Sequence, residues 1–449
     1  MISMNVRKEN DALGDVAVPS GSYGGSFYVR SKQNFQISDL RAPQTYRKAL
    51  CWIKMAAAEV NAELGRMDED AAEAIVQAGH EFIDGKFEED FDLDAYQAGA
   101  GTGYNMNLNE ILANRANELM GSEKGKYSPV HPNDHVNMSQ SSNDVTPTAL
   151  RIATLLDLEK IMRAGRRLAD TLAIKGKEFA HHKKVGRTHL QDAVPVTLGD
   201  EFGAYAFAVE RSLERIEKVR GELEHLGLGG SATGSGINVH PEFPAKVCQR
   251  LSTFAGLRLR PADNTFETTH SMAAFLAISA ALRSIAVELM RIANDLRMMS
   301  SGPHGGLHEI SLPEVQPGSS IMPGKINPSV PECMSMICVQ VMGLDHSICM
   351  AAQRGEFELN WYTPLIMWDL LHQIEILGNG MIMFGDLCVS GITANEEDMQ
   401  EVLGKSTATA TALTPHMGYH EVAKLVQEAI SKGVPFETLV PDEFKKYLE

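Results

Sequence analysis

The sequence predicts a mainly α-helical protein organised around a bundle of very long helices, and three observations carry that prediction. Phe275, Ile278, Leu282, Ile285, Leu289, Ile292, Leu296 and Met299 alternate spacings of three and four. That is the heptad repeat of helices packed nearly parallel. Residues 147–179 and 198–226 carry helical patterns of similar length, and an apolar run, Met334-Ser-Met-Ile-Cys-Val-Gln-Val-Met342, gives another helix at 333–349. The 275–299 segment is apolar on more than one face, and Ala274, Ala277 and Ala281 flank its seam, so several neighbours can approach it closely. A lone chain would leave such surfaces exposed, which predicts a homo-oligomer.

Taken in order, the chain is irregular to about residue 40, with one short β-leaning stretch at Leu13-Gly-Asp-Val-Ala-Val-Pro19. Residues 40–63 and 67–85 turn helical. The glycines of Gln97-Ala-Gly-Ala-Gly-Thr-Gly-Tyr-Asn-Met-Asn107 open a loop leading into a helix at 108–120. A polar loop at 133–148 centres on His135-Val-Asn-Met-Ser-Gln-Ser-Ser-Asn-Asp144, and Pro147 is expected to start the next helix. Gly186-Arg-Thr-His-Leu-Gln-Asp192 is a polar knot before the 198–226 helix. Leu228-Gly-Gly-Ser-Ala-Thr-Gly-Ser-Gly236 is a glycine-serine loop, a weak phosphate signal by itself. Residues 318–332 cannot continue a helix or strand through Gly318, Pro323, Gly324, Pro328 and Pro331. From about residue 391 the chain becomes more polar, with short helices to residue 432.

Bulk properties exclude several classes. The 449 residues exceed one core and suggest two or three domains, and 44% apolar with 22% charged residues is ordinary for a globular protein. A net charge of −17 argues against nucleic acid or an anionic membrane as partner. No signal peptide is read at the start, and no uninterrupted apolar stretch reads as a membrane span. The six cysteines form no C-x-x-C pair, which points to free thiols in a reducing cytoplasm. His181-His182-Lys183-Lys184 lacks partners at ligand spacing and reads as a solvated turn, so no metal is expected. No nucleotide-binding glycine pattern follows a strand, and no cofactor is expected.

Four loops at helix ends share a composition. Thr102 with Asn105, Ser141-Ser142-Asn143, Thr188-His189, and the 318–332 loop with Ser319, Lys325 and Asn327 all offer hydroxyl, amide, imidazole or ammonium groups. Singly each is a turn or a cap. Together they suggest one composite site that binds carboxylates through neutral donors and Lys325, inside an otherwise acidic protein.

The 318–332 loop, Gly-Ser-Ser-Ile-Met-Pro-Gly-Lys-Ile-Asn-Pro-Ser-Val-Pro-Glu, resembles the signature loop of the aspartase/fumarase superfamily. Its members cleave C–N or C–O bonds to release fumarate. The resemblance covers nearly the whole chain. Leu13–Pro19, Asn34-Phe-Gln-Ile-Ser38, Gly99-Ala-Gly-Thr102, Asn105-Met-Asn107, residues 186–195 and Gly391-Ile-Thr-Ala-Asn395 lean towards the branch acting on aspartate. Ser141-Ser142-Asn143 is closer to the iron-free fumarases, since aspartases usually carry Ser-Thr-Asn there.

The resemblance implies a three-domain fold with divisions at 1–143, 144–390 and 391–449, the middle one being the long-helix bundle. It implies a homotetramer whose sites each draw loops from three subunits, and a small C4 dicarboxylate or amino-acid substrate. Removing a proton beside a carboxylate puts a second negative charge on that carboxylate, an aci-carboxylate, which preorganised donors must bear. By the family pattern Ser319 is the base that takes the Cβ proton, and Lys325 and Asn327 bind substrate carboxylate. Thr102, Ser141, Ser142 and Thr188 hold carboxylates by hydroxyl groups. Asn143 and His189 lie near the leaving group, and His189 pairs with Glu332. An alkoxide at Ser319 needs backbone N–H groups and a cation, expected from Gly318, Gly324 and Lys325.

The implied reaction is elimination of ammonia from L-aspartate. The alternatives are hydration of fumarate to malate, elimination from a larger substituted amine, and an inactive structural member. Departures from the pattern fall at Gly24-Gly-Ser-Phe-Tyr-Val-Arg30, at His304 where relatives usually carry arginine, and at the bulky Trp361-Tyr362. That aromatic pair suits either packing beside the bundle or a larger, cationic substrate.

Overall fold

A computed structural model describes residues 5–448, and 62% of the chain is helical. An antiparallel hairpin of β1 (Val6–Asp11) and β2 (Gly14–Pro19) precedes α1 (Ser26–Asn34), α2 (Gln44–Glu63), α3 (Glu69–Ile83) and α4 (Thr102–Leu119). The long α5 (Ser142–Glu178) leads into a second hairpin, β3 (Lys183–Thr188) and β4 (Gln191–Thr197), and then α6 (Leu198–Arg220). Short β5 (His225–Leu226) and β6 (Arg260–Pro261) flank α7 (Phe243–Ala255). After α8 (Thr265–His270) and α9 (Ala273–Met299), β7 (Ile310–Ser311) comes before α10 (Ser329–Ala352) and α11 (Thr363–Leu387). The chain finishes with β8 (Thr393–Ala394), α12 (Glu396–Lys405), α13 (Thr414–Met417), α14 (Tyr419–Lys432) and α15 (Asp442–Lys445).

Contacts gather the chain into two units. The first holds the chain up to Ile161 with Arg215–Arg283 and Gln340–Ile376; the second holds Met162–Glu214, Ser284–Val339 and the chain from Leu377. The divisions fall inside α5, α6, α9, α10 and α11, the five longest helices. In the first unit, Tyr46, Leu50, Ile53, Leu108 and Ile111 are fully buried, and the ring of Phe91 stacks on Tyr104 with centroids 5.7 Å apart. In the second, Phe179 meets Phe202 edge-on at 5.2 Å, and a separate small core forms from Leu413, Val422, Ala429, Phe436 and Val440. All eight heptad positions of α9 are buried, as the spacing predicted. The backbones of α5 and α6 touch at Gly176, where an added Cβ would lie 3.1 Å from the Gly203 nitrogen.

Four element boundaries differ from the sequence reading. Helix α1 lies in a stretch read as irregular. Its opening N–H groups, those of Gly25, Phe27 and Tyr28, all donate to the carboxylate of Glu110, more than eighty residues away. Helix α4 begins at Thr102 rather than 108, because left-handed Gly101 (φ 68) turns the chain directly into it. Its asparagines, poor helix formers, find partners elsewhere, as Asn107 does by donating to the Asp90 carbonyl at 2.9 Å. Helix α5 begins at Ser142, with Pro147 inside it; one intrahelical bond is lost, but the first turn is held by Val145 N–H to the Ser141 carbonyl at 3.0 Å. The predicted 198–226 helix ends at Arg220.

Two helices, Ala273–Met299 and Ser329–Ala352, are long and apolar enough to cross a membrane by length and composition alone, but charged residues such as Arg283 and Asp345 interrupt both, so neither is an uninterrupted apolar stretch. Helix α9 uses that character for its buried seam. On α9, α10 and α11, Val287, Met336, Val339, Met350 and Ile382 remain exposed in the single chain.

Candidate active site

In the first unit, the turn before α4 and the start of α5 carry the hydroxyl groups. Thr102 is the first residue of α4 and donates to the Gly99 carbonyl at 3.2 Å. Gly99 packs so closely on Trp361 that a Cβ there would lie 2.8 Å from the tryptophan Cβ, and the Ala100 N–H donates to the Trp361 carbonyl at 2.9 Å. Trp361 and Tyr362 stack with ring centroids 3.9 Å apart, so the aromatic pair backs the turn that presents Thr102.

Ser141 accepts from the Asn143 N–H at 3.2 Å, and Ser142 accepts from the Asn105 side-chain amide at 3.1 Å. Beneath them Asp144 is buried. Its carboxylate accepts the N–H groups of Ser141, Gly229 and Ser231 at 2.8–3.0 Å. Burial pushes its pKa up to about 6 against those three bonds and the positive charge of Lys54. Asn143 donates to the Ala232 carbonyl at 2.8 Å. The 228–236 loop therefore gives two of its N–H groups to Asp144 and buttresses the Ser-Ser-Asn turn. Thr102, Ser141, Ser142 and Asn143 are all half-buried on this one unit.

Sequence reasoning missed Lys54 and Asn137. Lys54 is fully buried and donates to the Asn137 and Gln140 side-chain oxygens at 3.0 and 2.9 Å. The available signal was a single charge in the apolar run Leu50-Cys-Trp-Ile-Lys-Met-Ala-Ala-Ala58.

The second unit carries the 318–332 loop and the β3–β4 hairpin. The Ser319 hydroxyl oxygen accepts the N–H groups of Ile321 and Met322, both at 3.1 Å. These are the donors an alkoxide needs, supplied by residues two and three places on rather than by Gly318 and Gly324. Gly318 is required for another reason: a Cβ there would lie 2.0 Å from the Lys325 carbonyl oxygen. Asn327 donates to the Gly318 carbonyl at 2.7 Å and accepts from the Lys325 ammonium, closing the loop on itself. Glu332 sits in the first turn of α10, where the helix N-terminus favours a carboxylate. Arg297, Ser301, His308, Lys325, Asn327 and Glu332 line one cleft of 770 Å³.

Thr188 ends β3, and His189 and Leu190 form the two-residue turn of the hairpin, both with positive φ (56 and 59). Two such residues without glycine cost roughly 1–2 kcal/mol each, a strain of the kind stored where a side chain must be presented. The hairpin base is fixed by Lys184, buried against Glu201 and Glu309, and by Arg187, which meets Glu309 at 2.7 Å. Thr188, His189 and Leu190 are exposed. Among the described residues no His189–Glu332 hydrogen bond forms within this chain. No cluster of three or more His, Cys, Asp or Glu able to hold a metal ion occurs among the described residues either.

A lyase family model matches residues 14–343. The aspartate ammonia-lyase of a Bacillus species is 44% identical over 432 residues, 96% of this chain and 92% of that protein. The class II fumarate hydratase 2 of Bradyrhizobium diazoefficiens is 43% identical over 451 residues, 99% of this chain and 95% of that protein. The crystal structure of a class II fumarase from Schistosoma mansoni superposes with a TM-score of 0.96 at 37% identity, covering 99% of this chain and 98% of that one. Identity does not separate the two kinds of relative. The family match over most of the chain, the identity to both kinds of relative and the mainly α fold place this chain in the aspartase/fumarase superfamily of lyases.

Proposed function

We propose that the protein eliminates ammonia from L-aspartate to give fumarate, with Ser319 as base. The observation that carries this reading is the pair of N–H groups, from Ile321 and Met322, already bonded to the Ser319 oxygen. They favour the alkoxide before substrate arrives, which is the condition for a serine to act as base. The alkoxide takes the Cβ proton, and the electron pair left behind passes into the neighbouring carboxylate. By the family pattern, Lys325 and Asn327 bind substrate carboxylate, and Thr102, Ser141, Ser142 and Thr188 hold carboxylates by their hydroxyl groups, which together bear that charge. The Cα–N bond then breaks with its pair going to nitrogen, so an ammonium substituent leaves as neutral ammonia without a further proton.

A hydroxyl leaving group differs at that step, because it needs a proton to depart as water. Asn143 and His189 are placed by the family pattern near the leaving group. The fumarase reading is favoured by Ser142, and an amine larger than aspartate by the Trp361–Tyr362 stack behind Thr102. We further propose a cytoplasmic homotetramer whose sites combine loops from three subunits. The exposed Leu190 and Val194 of the hairpin, and Ile321 and Met322 of the Ser319 loop, suit coverage by neighbouring chains.

The test is fumarate release followed by ultraviolet absorbance, with L-aspartate and L-malate in parallel. Turnover of aspartate alone supports the proposal. Turnover of malate alone overturns it in favour of fumarate hydratase, and silence on both moves the assignment to a substituted amine.

A further inference from the structure

We propose that Lys54, Asn137 and Asn105 form a buried positioning chain that holds the Ser142 hydroxyl as a hydrogen-bond donor towards the substrate carboxylate. The argument is one of donor and acceptor bookkeeping. In its ammonium form Lys54 has hydrogens to give and no lone pair, so whatever faces it must be an oxygen. That fixes the amide orientation of both Asn137 and Gln140, whose oxygens lie 3.0 and 2.9 Å from the Lys54 nitrogen. The Gln140 amide nitrogen is consistent with this, donating to the Val136 and Met138 carbonyls at 3.1 and 3.0 Å.

With the Asn137 oxygen fixed, the group of Asn105 facing it at 3.2 Å must be the nitrogen, and Asn109 donates to the same oxygen at 3.2 Å. The Asn105 nitrogen also reaches the Ser142 oxygen at 3.1 Å. Ser142 must therefore accept there, and its own hydrogen points elsewhere. Among the described residues Ser142 has no bond as donor and its side chain caps no backbone N–H, whereas its neighbour Ser141 does accept one, from Asn143. The free hydrogen is what a carboxylate requires.

Lys54, Asn105 and Asn109 are 0–1% exposed, so water does not compete for these bonds. Burial depresses the Lys54 pKa to about 7, opposed by the negative charge of Asp144 and by Cys51. Keeping a lysine in such a place is costly for the fold, and the direction it imposes on Ser142 accounts for it.

This rests on the reading that Ser142 meets the substrate carboxylate. The test is a double-mutant cycle read by calorimetric titration of fumarate, which is common to every reaction considered above. Lys54→Met leaves the Asn137 oxygen with Asn105 and Asn109 but takes from the Gln140 oxygen the donor described for it, which can cost the fold, so Asn105→Ala carries the cycle. A soluble Lys54→Met protein is read the same way. Asn105→Ala and Ser142→Ala are each expected to weaken fumarate binding about tenfold, and the double variant no further than Ser142→Ala alone. Independent losses that multiply to about a hundredfold, a negligible effect of Asn105→Ala, or no fumarate binding by the wild-type chain would overturn the proposal. Failure of the wild type to turn over both L-aspartate and L-malate would remove the proposed reaction while leaving this binding cycle readable.

Discussion

Gly318→Ala tests how far the Ser319 loop depends on its own closure. The added Cβ would lie 2.0 Å from the Lys325 carbonyl oxygen, 2.7 Å from its carbon and 2.8 Å from the Ile326 Cα. Ordinary contact needs at least roughly 1 Å more, and all three obstacles are backbone, so no side chain can rotate away. The 318 and 325–326 strands of the loop must separate by about that distance. Separation pulls the Asn327 amide from the Gly318 carbonyl, now 2.7 Å away, and moves Lys325 with it. A displacement near 1 Å at a reacting group costs on the order of a hundredfold in rate. The loop is largely exposed, so the melting temperature should change little. Gly324→Ala is the control: unlike Gly318 it places a side chain at positive φ (79), but no atom lies within 4 Å of its Cβ. Its cost should be roughly 1–2 kcal/mol of local strain with a much smaller loss of rate. Both variants are assayed by fumarate release and by circular dichroism melting. A Gly318→Ala enzyme within about threefold of wild-type kcat, well inside that hundredfold estimate, would refute the reasoning.

Ser319→Ala should lower kcat by at least about 10²–10⁴-fold while leaving the oligomer intact by gel filtration; near-normal turnover would remove Ser319 as base. Light scattering at micromolar concentration should give a tetramer, and a monomer would sink the shared-site proposal. Leu289→Ala, in the fully buried seam of α9, should cost about 2–5 kcal/mol in denaturant unfolding, whereas exposed Val287→Ala should cost far less in the single chain. Burial pushes Glu110 up to about 7, against the N–H groups of Phe27, Tyr28 and Gly25. In the folded state it keeps a proton that the unfolded chain releases near the ordinary glutamate value of 4.5. Its contribution to stability is therefore complete below that pH and lost as pH rises through 7. Between pH 5 and 8 the wild-type melting temperature should fall more than that of Glu110→Gln; equal slopes would exclude this group.

Local sequence was enough wherever one periodicity or one backbone restriction decides the outcome. The three-and-four spacing from Phe275 to Met299 identified a buried seam because a helix can bury those positions on one side and no other regular structure can. The prolines and glycines of 318–332 excluded helix and strand by sterics alone, and their order with Ser319, Lys325 and Asn327 pointed to the superfamily. Boundaries failed where a distant residue supplied the missing bonds. Helix α1 exists because Glu110 meets its N-terminal N–H groups, and Ser142 starts α5 despite Pro147 because Asp144 and the 228–236 loop hold its first turn. The family resemblance pointed to Ser319 as the proposed base, while only the folded loop selected Ile321 and Met322, rather than the glycines, as donors to its oxygen. Lys54 was visible as one charge in an apolar helix, but its partners lie more than eighty residues away. Spacing along a chain reports which face is buried; which donor meets which acceptor is a property of three dimensions.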